Sequence, residues 1–61
     1  MLDIEFKTVD EGIEKLKDTV SIRNQMGGAL YWNICNDDCL KLADNLIRAG
    51  AAYREVKEIL K

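Results

Sequence analysis

Two cysteines four residues apart, Cys35 and Cys39, are the side chains of this sequence best suited to covalent or metal chemistry. A thiol in the first turn of a helix has a lowered pKa and becomes nucleophilic. The chain has no histidine to serve as the base, and Asp37 and Asp38 would oppose a thiolate at Cys39. Two soft ligands are also too few for a closed zinc site. We therefore expect Cys39 to pack in the core and predict no catalytic residue.

Three acidic residues and a pair of glycines are the other candidates for a ligand site. Asp37, Asp38 and Asp44 lack the alternating spacing and central glycine of a calcium loop. The first two suit a helix start, where the helix dipole is positive. Gly27 and Gly28 precede a predicted strand, so they indicate a turn and not a phosphate-binding loop. We expect no metal and no cofactor.

The longest regular pattern runs over residues 37–60 and predicts a helix with one buried stripe. Its members follow one another at steps of three and four: Cys39, Leu42, Leu46, Ala49, Tyr53, Val56 and Leu60. Asn36 is a favoured N-cap for this helix. Gly50 is either an interruption inside the helix or its C-cap. Because the stripe continues in phase through Gly50, we predict one long helix, straight or kinked, at about 37–60.

Three shorter segments, at about 2–7, 19–24 and 29–35, alternate with the period of two that is typical of strands. Residues 8–11 have the spacing of a capping box and predict a short helix at about 9–17. Val20 continues the spacing of this helix and would carry it to about Gln25. The β-branched run from Thr19 and the turn residues that follow it favour a hairpin instead.

These elements predict the α+β class, with a three-stranded antiparallel sheet and two helices forming a small two-layer domain. All 61 residues form a single domain. One face of the sheet would be apolar, through Leu2, Ile4, Phe6, Val20, Ile22, Leu30, Trp32 and Ile34. Tyr31 would lie alone on the opposite, polar face. An exposed aromatic side chain is a candidate contact residue.

Charge is distributed unevenly along the chain, whose net charge is −2. From Thr19 to Asn36 the only charged side chain is Arg23, which favours buried or partner-facing structure over a solvated loop. The sequence has no basic stripe of the kind that phosphate binding requires, so we expect nucleic acid to be an improbable partner. It also has no secretory signal and no apolar run that would cross a membrane. Two cysteines without a disulfide framework favour the cytoplasm.

One stretch, over residues 46–56, resembles the segment that enters the turn of some helix-turn-helix regulators. This resemblance covers under a fifth of the chain. It implies that a recognition helix follows the turn and contacts DNA. A nucleic-acid-associated regulator is therefore our alternative functional prediction.

A domain this small buries only about 60% of the surface of its unfolded chain, so association is the expected supplement to its core. We predict a small acidic protein-binding module that is not an enzyme. It would act by self-association as a homodimer, or as an accessory or inhibitor protein, with a viral or mobile-element inhibitor as one possibility. The predicted contact residues are Tyr31, Leu46, Ala49, Gly50, Tyr53 and Val56.

Overall fold

The computed structural model describes residues 5–61 and contains three α-helices. They are α1 (Val9–Gln25), α2 (Ala29–Arg48) and α3 (Tyr53–Leu60). The predicted α+β class is wrong, because no strand occurs within residues 5–61. Residues 19–24 belong to α1 and residues 29–35 to α2, while residues 2–4 of the first predicted strand lie outside the described part. The chain is a three-helix bundle.

Helix α1 continues to Gln25 because its buried side chains keep the helical spacing. Ile13, Leu16, Val20 and Arg23 follow at steps of three and four, and all are buried. Thr19 fits the same helix, since its hydroxyl donates to the Lys15 carbonyl at 2.7 Å. Burial along one stripe thus outweighs the β propensity of the run from Thr19. The helical alternative for these residues was the correct one.

The start of α1 was predicted correctly, at Val9. Thr8 is the N-cap, with an extended backbone, and its hydroxyl accepts from the Glu11 amide at 3.1 Å. The Glu11 carboxylate accepts in turn from the amide of Lys7 at 3.3 Å, one residue earlier than a standard capping box would place it. Two amides at the helix start are satisfied in this way.

Helix α2 begins at Ala29, eight residues before the predicted start at 37. Its N-cap is Gly28, which has no side chain to cap the helix. Asn36 lies inside the helix instead of capping it, and its side chain accepts from Arg23 at 3.0 Å. The apolar run from Ala29 alternates like a strand, but Trp32, Asn36 and Cys39 also follow the helical spacing, which is the one that the fold uses.

The predicted continuity of a helix over 37–60 is also wrong, because α2 ends at Arg48. Gly50 has φ of +106°, a conformation that L side chains rarely adopt. Its amide donates to the Ile47 carbonyl at 3.1 Å, and the Ala51 amide donates to the Leu46 carbonyl at 2.9 Å. This pair of bonds is a Schellman motif, which satisfies the last carbonyls of α2 and reverses the chain.

The three helices share one core. Its fully buried side chains are Leu16 from α1, Cys39, Leu42 and Leu46 from α2, and Val56 from α3. Helix α3 adds partial cover through Ile59 and Leu60. The predicted burial of Cys39 is confirmed.

Candidate functional site

The structure separates the predicted contact residues into two groups. Leu46 and Val56 are fully buried within their own chain, so they are not available on the surface of this conformation. Tyr31 and Tyr53 are exposed, as are Ala49 and Gly50 in the turn after α2. Tyr31 lies in the first turn of α2, about 27 Å along that helix from the turn at Ala49. The six residues therefore do not form one surface.

Exposed apolar side chains gather instead where α1 passes into α2. We call residues 22–34, which form the last turn of α1, the connection and the first turns of α2, the hairpin end. Nine large apolar side chains are exposed among the described residues, and six of them lie here. These six are Ile22, Met26, Leu30, Tyr31, Trp32 and Ile34, with exposed fractions from 37% to 69%. Sequence reasoning had assigned Ile22, Leu30, Trp32 and Ile34 to a buried sheet face.

Helical spacing groups these side chains on their helices. On α2, Leu30 and Ile34 are four residues apart, with Tyr31 between them on the same side of the helix surface. On α1, Ile22 is four residues from Met26, which immediately follows the helix. The connection of three residues holds these two groups at the same end of the bundle.

The hairpin end carries no exposed charge. Arg23 is the only charged side chain between Asp18 and Asp37, and it is only 5% exposed. Along α1 and α2, carboxylates border this uncharged stretch: Asp18 on α1, with Asp37 and Asp38 on α2. The cation Lys61, which follows the Leu60 that contacts Arg23, pairs with Glu58 at 3.2 Å. The nearest cation along α1, Lys17, pairs with Glu14 at 3.6 Å. The charge-poor middle of the sequence was the signal that could have located this surface.

Arg23 connects the three helices beneath the hairpin end. Its guanidinium donates to the Asn36 side chain of α2 at 3.0 Å and to the Leu60 carbonyl of α3 at 3.2 Å. Two further bonds, at 3.1 and 3.0 Å, go to the side-chain oxygen of Asn24. The guanidinium carbon also lies 5.1 Å from the centre of the Trp32 ring. One side chain of α1 thus fixes both the last turn of α3 and an aromatic ring of the hairpin end.

None of these described partners of Arg23 is a carboxylate, so its buried charge is compensated by dipoles. The Leu60 carbonyl belongs to the C-terminal turn of α3, where the helix dipole is negative and favours a cation. The face of the Trp32 ring attracts the same charge. Docking of α3 therefore contributes to keeping Arg23 buried.

Cys39 and the metal-ligating side chains are the candidates for chemistry among the described residues. Burial raises the pKa of the Cys39 thiol above its ordinary value of 9.0, against an opposing effect of Arg23. The thiol therefore stays protonated at neutral pH, where it is a poor nucleophile. Within residues 5–61 no group of three metal-ligating side chains comes together. That the chain is not an enzyme stays a prediction.

A cleft of about 230 Å³ lies beside the start of α1, lined by Glu5, Phe6, Lys7, Glu11 and Lys15. Its volume is below the range of about 300 to 1,000 Å³ that is usual for small-molecule sites. Two of its lining residues, Glu11 and Lys15, form an ion pair along α1 at 3.9 Å. We assign it no ligand.

The junction of α2 and α3 falls within the segment that carries the helix-turn-helix resemblance. Four residues, 49–52, separate the two helices, and Gly50 supplies the reversal. Helix α3 exposes Tyr53, Arg54 and Lys57. A second helix thus follows the turn, in place of the continuous helix that the sequence pattern predicted.

No match to this chain was found among protein-family models, curated proteins or solved structures. Within residues 5–61, no helix combines the length and the apolarity that crossing a membrane demands.

Proposed function

We propose that this chain is a small protein-binding module whose hairpin end docks onto an apolar surface of another protein. The observation that carries the proposal is the gathering of six exposed apolar side chains on a stretch without exposed charge. Accessory and inhibitor proteins are the functional class to which such a module belongs. The two free cysteines favour the cytoplasm as its compartment.

The size of the hairpin end suits this role. Leu30, Tyr31 and Ile34, on one side of α2, together expose the equivalent of nearly two whole side chains, or roughly 400 Å² at about 200 Å² for each. Trp32 lies on the other side of that helix, over Arg23. The largest apolar patch on a typical monomer is about 300 to 600 Å² and is often functional. A standard interface buries about 800 Å² on each partner, so this group of three supplies about half of one and its polar border adds to it.

The border of the hairpin end indicates the charge of the partner. Asp18, Asp37 and Asp38 would meet their own counterparts if two copies associated here, and like charges oppose such contact. A foreign surface with an apolar centre and a lysine- or arginine-rich rim is complementary instead. Binding to such a surface weakens as salt screens the rim charges, whereas self-association through the same end would strengthen.

Site-specific photo-crosslinking tests the proposal. A photoreactive amino acid at Leu30, at the hairpin end, is compared in native lysate with one at Leu40, which is also exposed on α2 but lies outside it. The protein captured at position 30 is then purified, and its affinity is measured by calorimetry at low and high salt. We expect L30E to lower the affinity at least about tenfold, and L40E to change it by less than about twofold.

The opposite results are equally informative. Capture at neither position, or equal loss of affinity in both variants, would exclude the hairpin end as the docking surface. A captured protein whose affinity rises with salt would contradict the proposed basic rim. Circular dichroism of both variants excludes unfolding as the cause, since exposed substitutions usually change stability by less than about 0.5 kcal/mol.

Nucleic-acid binding is the second candidate, favoured by the turn at Gly50 and by the exposed Arg54 and Lys57 of α3. Against it, Glu55 and Glu58 are exposed on the same short helix. If α3 contacts phosphates, the K57A variant should bind duplex DNA more weakly and with a smaller salt dependence than the wild type. Binding of duplex DNA that K57A leaves unchanged would remove α3 from consideration.

A further inference from the structure

The sequence around the α2–α3 junction is compatible with a continuous helix as well as with the observed turn. The apolar stripe of residues 39–60 stays in helical phase across the turn, although the structure interrupts the helix there. Between Arg48 and Tyr53, alanine occupies every position except Gly50, and alanine is the strongest helix former. Gly50 is the one residue of the junction that favours the reversal through its positive φ.

Straightening this junction would remove α3 from its own core. Val56, which is fully buried, would leave together with Ile59 and Leu60. The vacated surface on α1 and α2 is apolar, and its natural complement is an α3 helix of the same sequence. Leu46 and Val56, which are inaccessible in the single folded chain, would then lie on opposite sides of an interface between copies.

We propose that two copies of this chain form a dimer by exchanging α3, with α2 and α3 joined in one continuous helix. This inference goes beyond the docking of a foreign protein at the hairpin end and concerns a different surface. Val56 of each copy would pack in the core of the other copy. The Leu60 carbonyl of each copy would accept from the Arg23 guanidinium of the other. Such an exchange requires no contacts beyond those of the folded chain, so it is a low-cost route to a dimer.

The distance between Asn36 and Leu60 distinguishes the two arrangements. In the observed fold both residues bond to the Arg23 guanidinium of the same chain, at 3.0 and 3.2 Å. In a continuous helix, the 24 residue steps from Asn36 to Leu60 span about 36 Å. A straightened chain therefore cannot bond Leu60 to its own Arg23.

The variant G50A tests the proposal, because an alanine opposes the positive φ of the turn and favours the continuous helix. We expect sedimentation equilibrium to show a mass twice the 6.9 kDa of one chain, with a dimer dissociation constant at least about tenfold below that of the wild type. The matched control is G27A, since a Cβ at Gly27 has no atom within 4 Å and its φ is ordinary. G27A should associate like the wild type.

A distance measurement shows whether α3 is exchanged in that dimer. Spin labels carried by unnatural amino acids at positions 33 and 61, both exposed, leave the native cysteines in place. Labelled chains are diluted with unlabelled ones so that only distances within a chain are recorded. The exchanged dimer should give about 42 Å. The folded-back chain should give a much shorter distance, because Asn36 and Leu60 there bond to the same Arg23 guanidinium.

Every result decides the matter. A dimer that shows the long distance supports the exchange of α3. If this dimer also forms when L30E blocks the hairpin end, the exchange does not depend on the proposed function. A monomer, or a dimer with the short distance, overturns it. If G50A does not fold, the wild type at high concentration replaces it: the long distance must then appear together with the dimer mass, and its absence overturns the proposal.

Discussion

The contact between Gly12 of α1 and Leu46 of α2 leaves no room for a methyl group, and it yields a quantitative prediction. A Cβ built on Gly12 overlaps Leu46 Cδ2 and lies 2.9 Å from Phe6 Cγ. Leu46 is fully buried, so its side chain cannot move into solvent to make space. In G12A, the two helices must separate or Leu46 must leave its rotamer.

Two effects of opposite sign determine the stability of G12A. Replacing a glycine inside a helix by alanine stabilises that helix by about 1 kcal/mol. Overfilling a packed core costs about 1 to 3 kcal/mol. Because the overlap involves a fully buried side chain, we expect the upper part of this range and a net loss of about 1 to 2 kcal/mol. For a domain of this size, each 1 kcal/mol lowers Tm by about 4 to 8 °C.

Thermal and urea denaturation followed by circular dichroism measure this loss. G27A is the control, and we expect it to differ from the wild type by less than about 0.5 kcal/mol, because a Cβ there has open space around it. A higher Tm for G12A than for the wild type would refute the reasoning. It would mean that helix propensity prevails and that α1 and α2 are not in close contact at Gly12.

Two further predictions concern the core beneath the hairpin end. R23M keeps the apolar stem of the side chain but leaves the Asn36 side chain and the Leu60 carbonyl without their donor. We therefore expect urea denaturation to show a loss of stability of about 2 to 4 kcal/mol, and amide exchange in α3 to be faster. The control R48M breaks only the surface pair with Asp44 and should cost under about 1 kcal/mol; equal losses in the two variants would contradict the bridging role of Arg23. The pKa of Cys39 is raised in the folded chain, so its contribution to stability should be full below the ordinary thiol pKa of 9.0 and be lost as pH rises from there through the raised folded-state pKa. C39A should flatten that fall, and an unchanged slope would refute the assignment.

Features that depend on neighbouring residues were predictable from the sequence. The capping box at Thr8 and Glu11 acts within one turn, so its residue types are sufficient to locate the start of α1. The burial of Cys39 followed from its place in an apolar stripe. Both predictions needed only the helical period and the chemistry of a helix end.

The remaining elements could not be assigned from the local sequence pattern, because it fits more than one secondary structure. Residues 19–24 and 29–35 fit both periods, and the helical one prevails because α1 and α2 bury a common core. The stripe through Gly50 fits a continuous helix equally well, and the reversal follows from bonds to the carbonyls of Leu46 and Ile47. Reading residues 29–35 as a buried strand placed Leu30 and Ile34 in the core, and so concealed the candidate site.

The near absence of charge at the hairpin end has a consequence for its response to acidity. Across residues 19–36, the titratable side chains besides buried Arg23 are Tyr31 and Cys35, and the chain contains no histidine. Histidine is the only side-chain type whose unperturbed pKa lies between about 5 and 8. The hairpin end therefore contains no histidine that would be protonated within the pH range of cell compartments. Between about pH 5 and 8, proton-driven release of a bound protein would therefore act through groups of that protein and not through a histidine of this chain.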